Sequence, residues 1–159
     1  MENKNDRYFL QMAVDLAAEN VRSGRGGPFG AVIVKDGEVL ATGVNLVTSS
    51  NDPTAHAEVT AIRNATSKLK DFQLKDCILY SSCEPCPMCL GAIYWARPER
   101  LVFATSKHDA ASVGFDDAFI YEELELSIEA RHLKTEYCPE EAFKLPFQLW
   151  KESEGKTEY

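Results

Sequence analysis

The spacing of hydrophobic and polar residues predicts a helix and a strand pair in the first third of the chain. Over residues 6–23, apolar side chains recur at intervals of three and four, as they do along an amphipathic helix. The apolar run 29–34 and the segment 38–42 have the character of strands, and Asp36-Gly37 between them is a strong signal for a two-residue hairpin. We therefore expect these two strands to pair antiparallel.

The rest of the pattern continues the alternation of helices and strands. In chain order it predicts a loop over 44–53, a helix that Thr54 or Asp52 caps and that extends to Leu69, a strand over 77–81, a helix over 87–95, a strand over 101–104, a helix over 115–123, a strand over 128–137 and a helix over 140–154 that Pro146 breaks. His56 and Glu58 fall on the first turn of the first of these helices. A strand, a helix and a second strand in succession imply a parallel pair joined by a right-handed crossover. The predicted fold class is α/β, a three-layer α/β/α domain with a central mixed five-stranded sheet, and residues 1–159 form a single domain.

Length and composition are those of an ordinary globular chain. The sequence has 159 residues, of which 45% are hydrophobic and 26% charged, and this length corresponds to about one domain. No apolar stretch approaches the ~20 residues that cross a bilayer, and the polar N-terminus lacks a signal-type apolar core. Five cysteines are an odd number for a disulfide framework and favour thiols and a metal. We expect a cytoplasmic protein.

The charge balance restricts the kind of partner. The chain carries 25 acidic and 17 basic side chains, for a net charge of -8. Such a balance opposes binding to phosphate backbones, because non-specific affinity for nucleic acid depends on clustered Lys and Arg. We expect a small, uncharged or weakly charged substrate, with neither a nucleic-acid nor a membrane partner.

Glycines concentrate in the segment 24–30, which raises the alternative of a phosphate-binding loop. Such a loop follows a strand and precedes a helix, whereas here the helix comes first. A flexible link from helix to strand is therefore the preferred interpretation. Phe29, at its end, is a candidate wall of a pocket.

The strongest chemical signal is the pair Cys86 and Cys89, three residues apart at the predicted start of a helix. Thiolates at this spacing face the same way, and His56 at the start of another helix can complete three sides of a tetrahedral zinc site. The fourth side is then left for a water, whose pKa the ion can lower toward neutrality. Glu58, two residues from His56, is placed to handle the proton of that water.

Each of these residues also has a plain structural interpretation. A histidine or glutamate at a helix start is often a surface or capping residue that the helix dipole favours. Cys83 could supply a third thiolate, and a zinc ion held by four protein ligands is structural. Because Pro85 favours an extended chain before the helix, Cys83 cannot share a helical face with Cys86 and Cys89, and we assign it as a non-ligand.

Four segments carry a family resemblance: 26–32 (GGPFGAV), 51–63 (NDPTAHAEVTAIR), 82–93 (SCEPCPMCLGAI) and 114–117 (GFDD). They contain the His-x-Glu and Pro-Cys-x-x-Cys signature of zinc deaminases. The chain resembles the bacterial guanine deaminases of the cytidine/deoxycytidylate deaminase superfamily. The resemblance implies a cytidine-deaminase-like fold, one zinc ion per subunit, and hydrolysis of guanine to xanthine and ammonia. It also implies a homodimer with a shared active site, in which the segment from about 138 to 159 is swapped onto the partner.

The roles of individual residues follow from the same resemblance. It makes His56, Cys86 and Cys89 the metal ligands, Glu58 the carrier of protons, and Asp117 a second acid near the leaving amine. It also places five residues in the substrate site: Phe29, Asn45, Ala57, Trp95 and Tyr159, the last from the partner subunit.

Related activities and one inert alternative stay open. Deaminases of guanosine, cytosine or aminotriazines such as ammeline share this zinc geometry, because the size of the pocket and the partner's tail set the substrate. A tRNA adenosine deaminase needs a basic surface for phosphates, which the net charge opposes. A non-catalytic, zinc-stabilised binding module would require Cys83 as the fourth ligand.

Overall fold

The computed structural model describes residues 5–159, which form two compact units divided between Asp117 and Ala118. The first unit contains, in chain order, α1 (Asp6–Arg22), β1 (Gly30–Lys35), β2 (Glu38–Val44), α2 (Val47–Ser50), α3 (Ala57–Leu69), β3 (Cys77–Cys83), α4 (Pro87–Ala96), β4 (Arg100–Thr105) and α5 (Lys107–Ala111). The second contains α6 (Ala118–Glu125), short 3₁₀ helices at Ile128–Ala130 and Glu141–Lys144, and α7 (Leu145–Glu152). The predicted elements up to β4 are confirmed, whereas α2 and α5 were not expected. No helix among the described residues is long and apolar enough to span a membrane.

The sheet of the first unit is mixed and has the strand order β2-β1-β3-β4. β1 runs antiparallel to both β2 and β3, and β3 runs parallel to β4, so both predicted pairings are confirmed. At the hairpin, Asp36 and Gly37 have φ values of 51° and 77°. Two consecutive positive φ angles are what a tight hairpin turn requires, which explains the Asp-Gly pair.

The two faces of the sheet carry separate cores. On one face, α1 packs Phe9 and Ala13 against Val32 and Tyr80. On the other face, α3 and α4 contribute to a cluster with side chains of alternate strand residues. Its main members are Ala31, Ile33, Ala61, Leu79 and Ile93. Helices therefore cover both faces, and the predicted three-layer α/β/α arrangement is confirmed.

The expectation of a fifth strand over 128–137 is wrong, because the sheet has four strands among the described residues. The alternation that suggested a strand is lost at Arg131 and His132. His132 instead turns back to α6, where its backbone N–H donates to Glu123 Oε2 at 2.9 Å and its Nδ1 lies 2.6 Å from Glu123 Oε1. At the start of the segment, Ile128–Ala130 form a 3₁₀ helix, which is not the extended conformation of a strand.

Pro146 lies close to the break that the prediction placed in a helix over 140–154. The segment forms a 3₁₀ helix that ends at Lys144 and the helix α7 that begins at Leu145, so Pro146 lies in the first turn of the second element. Proline fits this position because the first N–H groups of a helix have no partner within it. The predicted break is therefore confirmed, and it falls one residue before the proline.

Candidate active site

The start of α3 brings His56 and Glu58 to one edge of the sheet. His56 is the N-cap of the helix, with φ −69° and ψ 160°, and is not part of its first turn as expected. The predicted caps form a turn of their own, in which Thr54 N and Oγ1 both donate to Asp52 Oδ1, at 2.8 and 2.6 Å. Glu58 lies in the first turn and is 5% exposed. His56 therefore has an extended backbone outside the helix, whereas the Glu58 carboxylate is buried.

The start of α4 presents the two thiols. Cys86 is the N-cap, Pro87 begins the helix, and Cys89 N donates to Cys86 Sγ at 3.5 Å. Both sulfur atoms lie 3.5 Å from His56 Nδ1. The helix start thus gathers three ligand atoms from two elements that are distant in the sequence.

These three side chains fit a tetrahedral zinc ion. All their ligand atoms lie within 4.8 Å of one another, and they form the one such group found among residues 5–159. Zinc bonds of about 2.3 Å to sulfur and about 2.0 Å to nitrogen, at a tetrahedral angle, would separate sulfur from nitrogen by about 3.5 Å. The observed separations equal this value, so the donor set is already arranged for the metal.

The protonation of the group also suits a cation. The pKa of Cys86 is lowered to about 4, first by a hydrogen bond from Cys89 and then by His56. The pKa of Cys89 is raised by the same contact with Cys86 and by burial. The pKa of His56 is raised by its hydrogen bond with Cys86. One thiolate therefore forms readily here, and a divalent ion would favour the second.

Cys83 lies outside this group. Its Sγ donates to the Ser106 carbonyl at 3.4 Å, and burial raises the pKa of its thiol. Cys83 is the last residue of β3, before the extended segment that leads to α4. The Cys83 thiol is thus hydrogen-bonded to Ser106, which follows β4. The metal-binding group therefore consists of three side chains.

The Glu58 carboxyl lies beside the metal-binding side chains and is hydrogen-bonded to Ser81. Its Oε1 accepts a hydrogen bond from Ser81 Oγ at 2.9 Å, and both residues are buried. Burial raises the pKa of Glu58, more than hydrogen bonds with Ser81 and Cys89 lower it. A carboxyl with a raised pKa can hold and release a proton closer to neutral pH, which is what a proton carrier requires.

A wall of aromatic and amide groups includes Phe29, Asn45 and Phe115. The rings of Phe29 and Phe115 meet edge to face, with centroids 5.0 Å apart. Asn45 Oδ1 accepts from Gly27 N at 3.3 Å, and Asn45 N donates to the Phe29 carbonyl at 3.1 Å. Both predicted residues thus lie on one surface, and Phe115 joins them.

The remaining predicted site residues differ from one another in burial and in their place in the fold. Burial raises the pKa of Asp117, and the negative charge of Cys86 raises it further. Ala57 is fully buried as the first residue of α3, whereas Trp95 is 63% exposed near the far end of α4. Tyr159, 68% exposed, belongs to the second unit.

Sequence reasoning missed Phe115, Ser81 and Asn20 as parts of the site. Asn20 is fully buried, and its Nδ2 donates to the carbonyls of Gly27 and Asn45 at 2.9 and 2.8 Å. Ser81 and Asn20 could have been noticed as polar residues at core-facing positions of a strand and a helix. Phe115 stands two residues before the predicted acid, Asp117, in the Gly-Phe-Asp-Asp motif, but only the fold brings it to Phe29.

Comparison with known proteins agrees with this geometry. The chain belongs to the family of the cytidine and deoxycytidylate deaminase zinc-binding region, whose model matches residues 3–105. The guanine deaminase of Bacillus subtilis (strain 168) is 57% identical over 155 residues, which are 98% of this chain and 99% of that protein. An X-ray structure of Bacillus subtilis guanine deaminase matches with a TM-score of 0.96 over 98% of this chain and 99% of its own. The resemblance predicted from sequence and the cytidine-deaminase-like fold are thereby confirmed.

More distant relatives include proteins with another substrate. The tRNA-specific adenosine deaminase of Aquifex aeolicus (strain VF5) is 37% identical over 147 residues, 91% of this chain and 93% of that protein. A structure of guanine deaminase from Nitrosomonas europaea is 32% identical, with a TM-score of 0.66 over 69% of this chain and 64% of its own. The family therefore fixes the zinc chemistry more firmly than the substrate.

Proposed function

We propose that this protein hydrolyses guanine to xanthine and ammonia. The observation that carries the proposal is the group of His56, Cys86 and Cys89 with the buried carboxyl of Glu58 beside it. The identity of 57% to a guanine deaminase, over nearly the whole of both chains, supports guanine over the other aminated heterocycles. The net charge of -8 disfavours a tRNA substrate.

His56, Cys86 and Cys89 would hold Zn²⁺, which supplies Lewis-acid activation of a water molecule when bound. Glu58 takes the proton that this water releases and delivers it to the ring nitrogen beside the reacting carbon, C2 of guanine. As that nitrogen takes the proton, the water oxygen forms a bond to C2, which then carries both a hydroxyl and the amino group. Glu58, with Asp117, moves the hydroxyl proton to the amino group; the bond from C2 to this nitrogen breaks, the C2 carbonyl of xanthine forms, and ammonia leaves.

We assign substrate recognition to five residues, of which Phe29 and Asn45 belong to the aromatic and amide wall. Asn45 hydrogen-bonds the purine, Phe29 and Trp95 enclose its ring, Ala57 contacts it from the start of α3, and the partner subunit's Tyr159 closes the site. The fixed position of the Asn45 side chain, held through Gly27 N, supports its role because a preorganised amide loses little freedom on binding. The five free cysteines suit a reducing compartment and support a cytoplasmic location.

The proposed assembly is a homodimer. The second unit, Ala118–Tyr159, contains no buried residue. Several of its large apolar side chains are more than half exposed, among them Leu133, Tyr137, Phe143, Phe147 and Leu149. Apolar surface of this extent in a short segment marks an interaction site, and a second copy of the chain is the partner we assign.

The substrate proposal is tested by ammonia release from guanine, guanosine, cytosine, adenine and aminotriazines. We expect guanine to be the preferred substrate of the zinc-loaded protein. Glu58→Gln should keep its zinc and lose on the order of 10²–10⁴ in turnover, the usual contribution of a general acid or base. His56→Ala should lose the metal itself. Absence of release from the whole panel by zinc-loaded protein would favour an inert module.

The sharing of the site is tested by mixing two inactive full-length chains, Glu58→Gln and Tyr159→Ala. In a swapped homodimer, the mixed dimer has one site with an intact Glu58 and an intact tail from its partner, so part of the activity returns. If each tail serves its own subunit, both sites of the mixed dimer stay defective. Each variant alone provides the baseline.

A further inference from the structure

Ser81 is the polar residue of β3 that faces the catalytic side of the sheet. Side chains along a strand alternate between its faces. Cys77 and Leu79 belong to the core under α3, and Tyr80 belongs to the core under α1. Ser81 therefore points toward α3, where an apolar residue would serve packing better. It is 1% exposed, and its hydroxyl donates to Glu58 Oε1 at 2.9 Å.

We infer that Ser81 is a positioning residue that fixes the orientation of the Glu58 carboxyl. The hydroxyl donates to Oε1, and this bond, together with one from the backbone N–H of Glu58 itself, restricts rotation of the carboxyl group. A glutamate has three rotatable side-chain bonds, and a proton carrier works only within hydrogen-bond reach of both donor and acceptor. Cys89 also hydrogen-bonds this carboxyl, but a thiolate that binds a metal has no proton to donate. The inference rests on the proposed role of Glu58 and extends it.

The test compares Ser81→Thr with Ser81→Val. The two new side chains have nearly the same shape, and only threonine carries a hydroxyl. We expect kcat of the valine variant to fall about 10- to 100-fold below that of the threonine variant, the value of a hydrogen bond to a charged group. KM and the zinc content, measured by atomic absorption, should be the same in both. Ser81→Ala adds no methyl groups and should show the same loss if the branched variants do not fold.

Ser82 offers a matched control on the same strand. It is 6% exposed and faces the opposite side, where its hydroxyl accepts a hydrogen bond from Gly30 N at 3.0 Å. Ser82→Ala removes a buried hydroxyl without reaching Glu58. We expect it to lower the unfolding temperature and to leave kcat unchanged.

A second readout separates positioning from a structural role. If Ser81 acts through Glu58, then Ser81→Ala costs no further activity in a Glu58→Gln background. A loss of equal size in both backgrounds would overturn the inference, as would equal kcat in the threonine and valine variants together with an unimpaired Ser81→Ala. A wild-type protein inactive on guanine would contradict the proposed function instead, and the comparison would then use the heterocycle that it does deaminate.

Discussion

The first turn of α3 packs directly against Gly43 of β2. Replacing Gly43 with alanine tests whether this close backbone contact determines the position of the active-site residues at the start of α3. A Cβ at Gly43 would lie 2.9 Å from Ala61 Cα, and closer still to the Ala57 carbonyl oxygen and Ala61 N, whereas ordinary contact begins at 3.4 Å. These are backbone atoms, which cannot rotate away. The start of α3 must therefore move by about 0.5 Å or more.

We expect Gly43→Ala to lower the free energy of unfolding by about 1–3 kcal/mol, the usual cost of overpacking. In a domain of this size each kcal/mol lowers Tm by about 2–4 °C, so a decrease of roughly 2–12 °C is expected. Because the same turn carries Glu58 and follows His56, zinc affinity and kcat should fall as well. A misplacement of about 1 Å can cost up to about 10²-fold in rate.

The measurements are thermal unfolding, zinc affinity by competition with a chelator, and kcat on guanine. Gly91→Ala is the matched control, because a Cβ on this α4 residue would meet nothing within 4 Å. Alanine favours a helix over glycine by about 1 kcal/mol, so this variant should be as stable as the wild type or more so. The reasoning is refuted if Gly43→Ala unfolds at the wild-type temperature, or if both variants lose the same stability.

Two further predictions concern stability. Hydrogen bonds from Arg100, and then from Tyr80, lower the pKa of Asp6. A lowered pKa stabilises the folded state above the unfolded value, and this stabilisation is lost as the pH falls through the folded value. Asp6→Asn should therefore cost up to about 1 kcal/mol near pH 7 and almost nothing near pH 2, since the pair is half exposed. Urea unfolding at both pH values measures this, and an equal cost at both would contradict it. Asn20→Ala should lower the free energy of unfolding by roughly 2–4 kcal/mol, because the carbonyls of Gly27 and Asn45 lose their donor. A cost below about 1 kcal/mol in the same assay would show that water replaces the amide.

The metal-binding group shows what local sequence patterns could predict and what they could not. The spacing of Cys86 and Cys89 and the proline between them predicted two thiols at a helix start, and the structure places Cys86 at the N-cap and Cys89 in the first turn of α4. The pattern around His56 predicted a helix start but placed the histidine in the first turn, whereas the structure makes it the N-cap. Helix and strand periods are properties of neighbouring residues, so they indicate elements well and their ends less well.

The second unit is where local patterns were least informative. The segment 128–137 alternates only in its first half, and the contact of His132 with Glu123 decides its path. The side chains around it are exposed, so no burial enforces a period of two. In a short, exposed segment no buried face requires apolar residues at regular intervals, so the sequence has no clear helix or strand period.

The sequence by itself determined the α/β alternation, the hairpin at Asp36-Gly37, the two thiols and the family to which they belong, because these depend on residues that are close along the chain. Only the tertiary structure decided that His56 Nδ1 lies 3.5 Å from both sulfur atoms and that the hydroxyl of Ser81 reaches Glu58. Contacts between residues more than twenty positions apart depend on how helices pack on the sheet. That packing is set by the sum of many side-chain volumes and by close approaches such as Gly43 against α3, which no local spacing records.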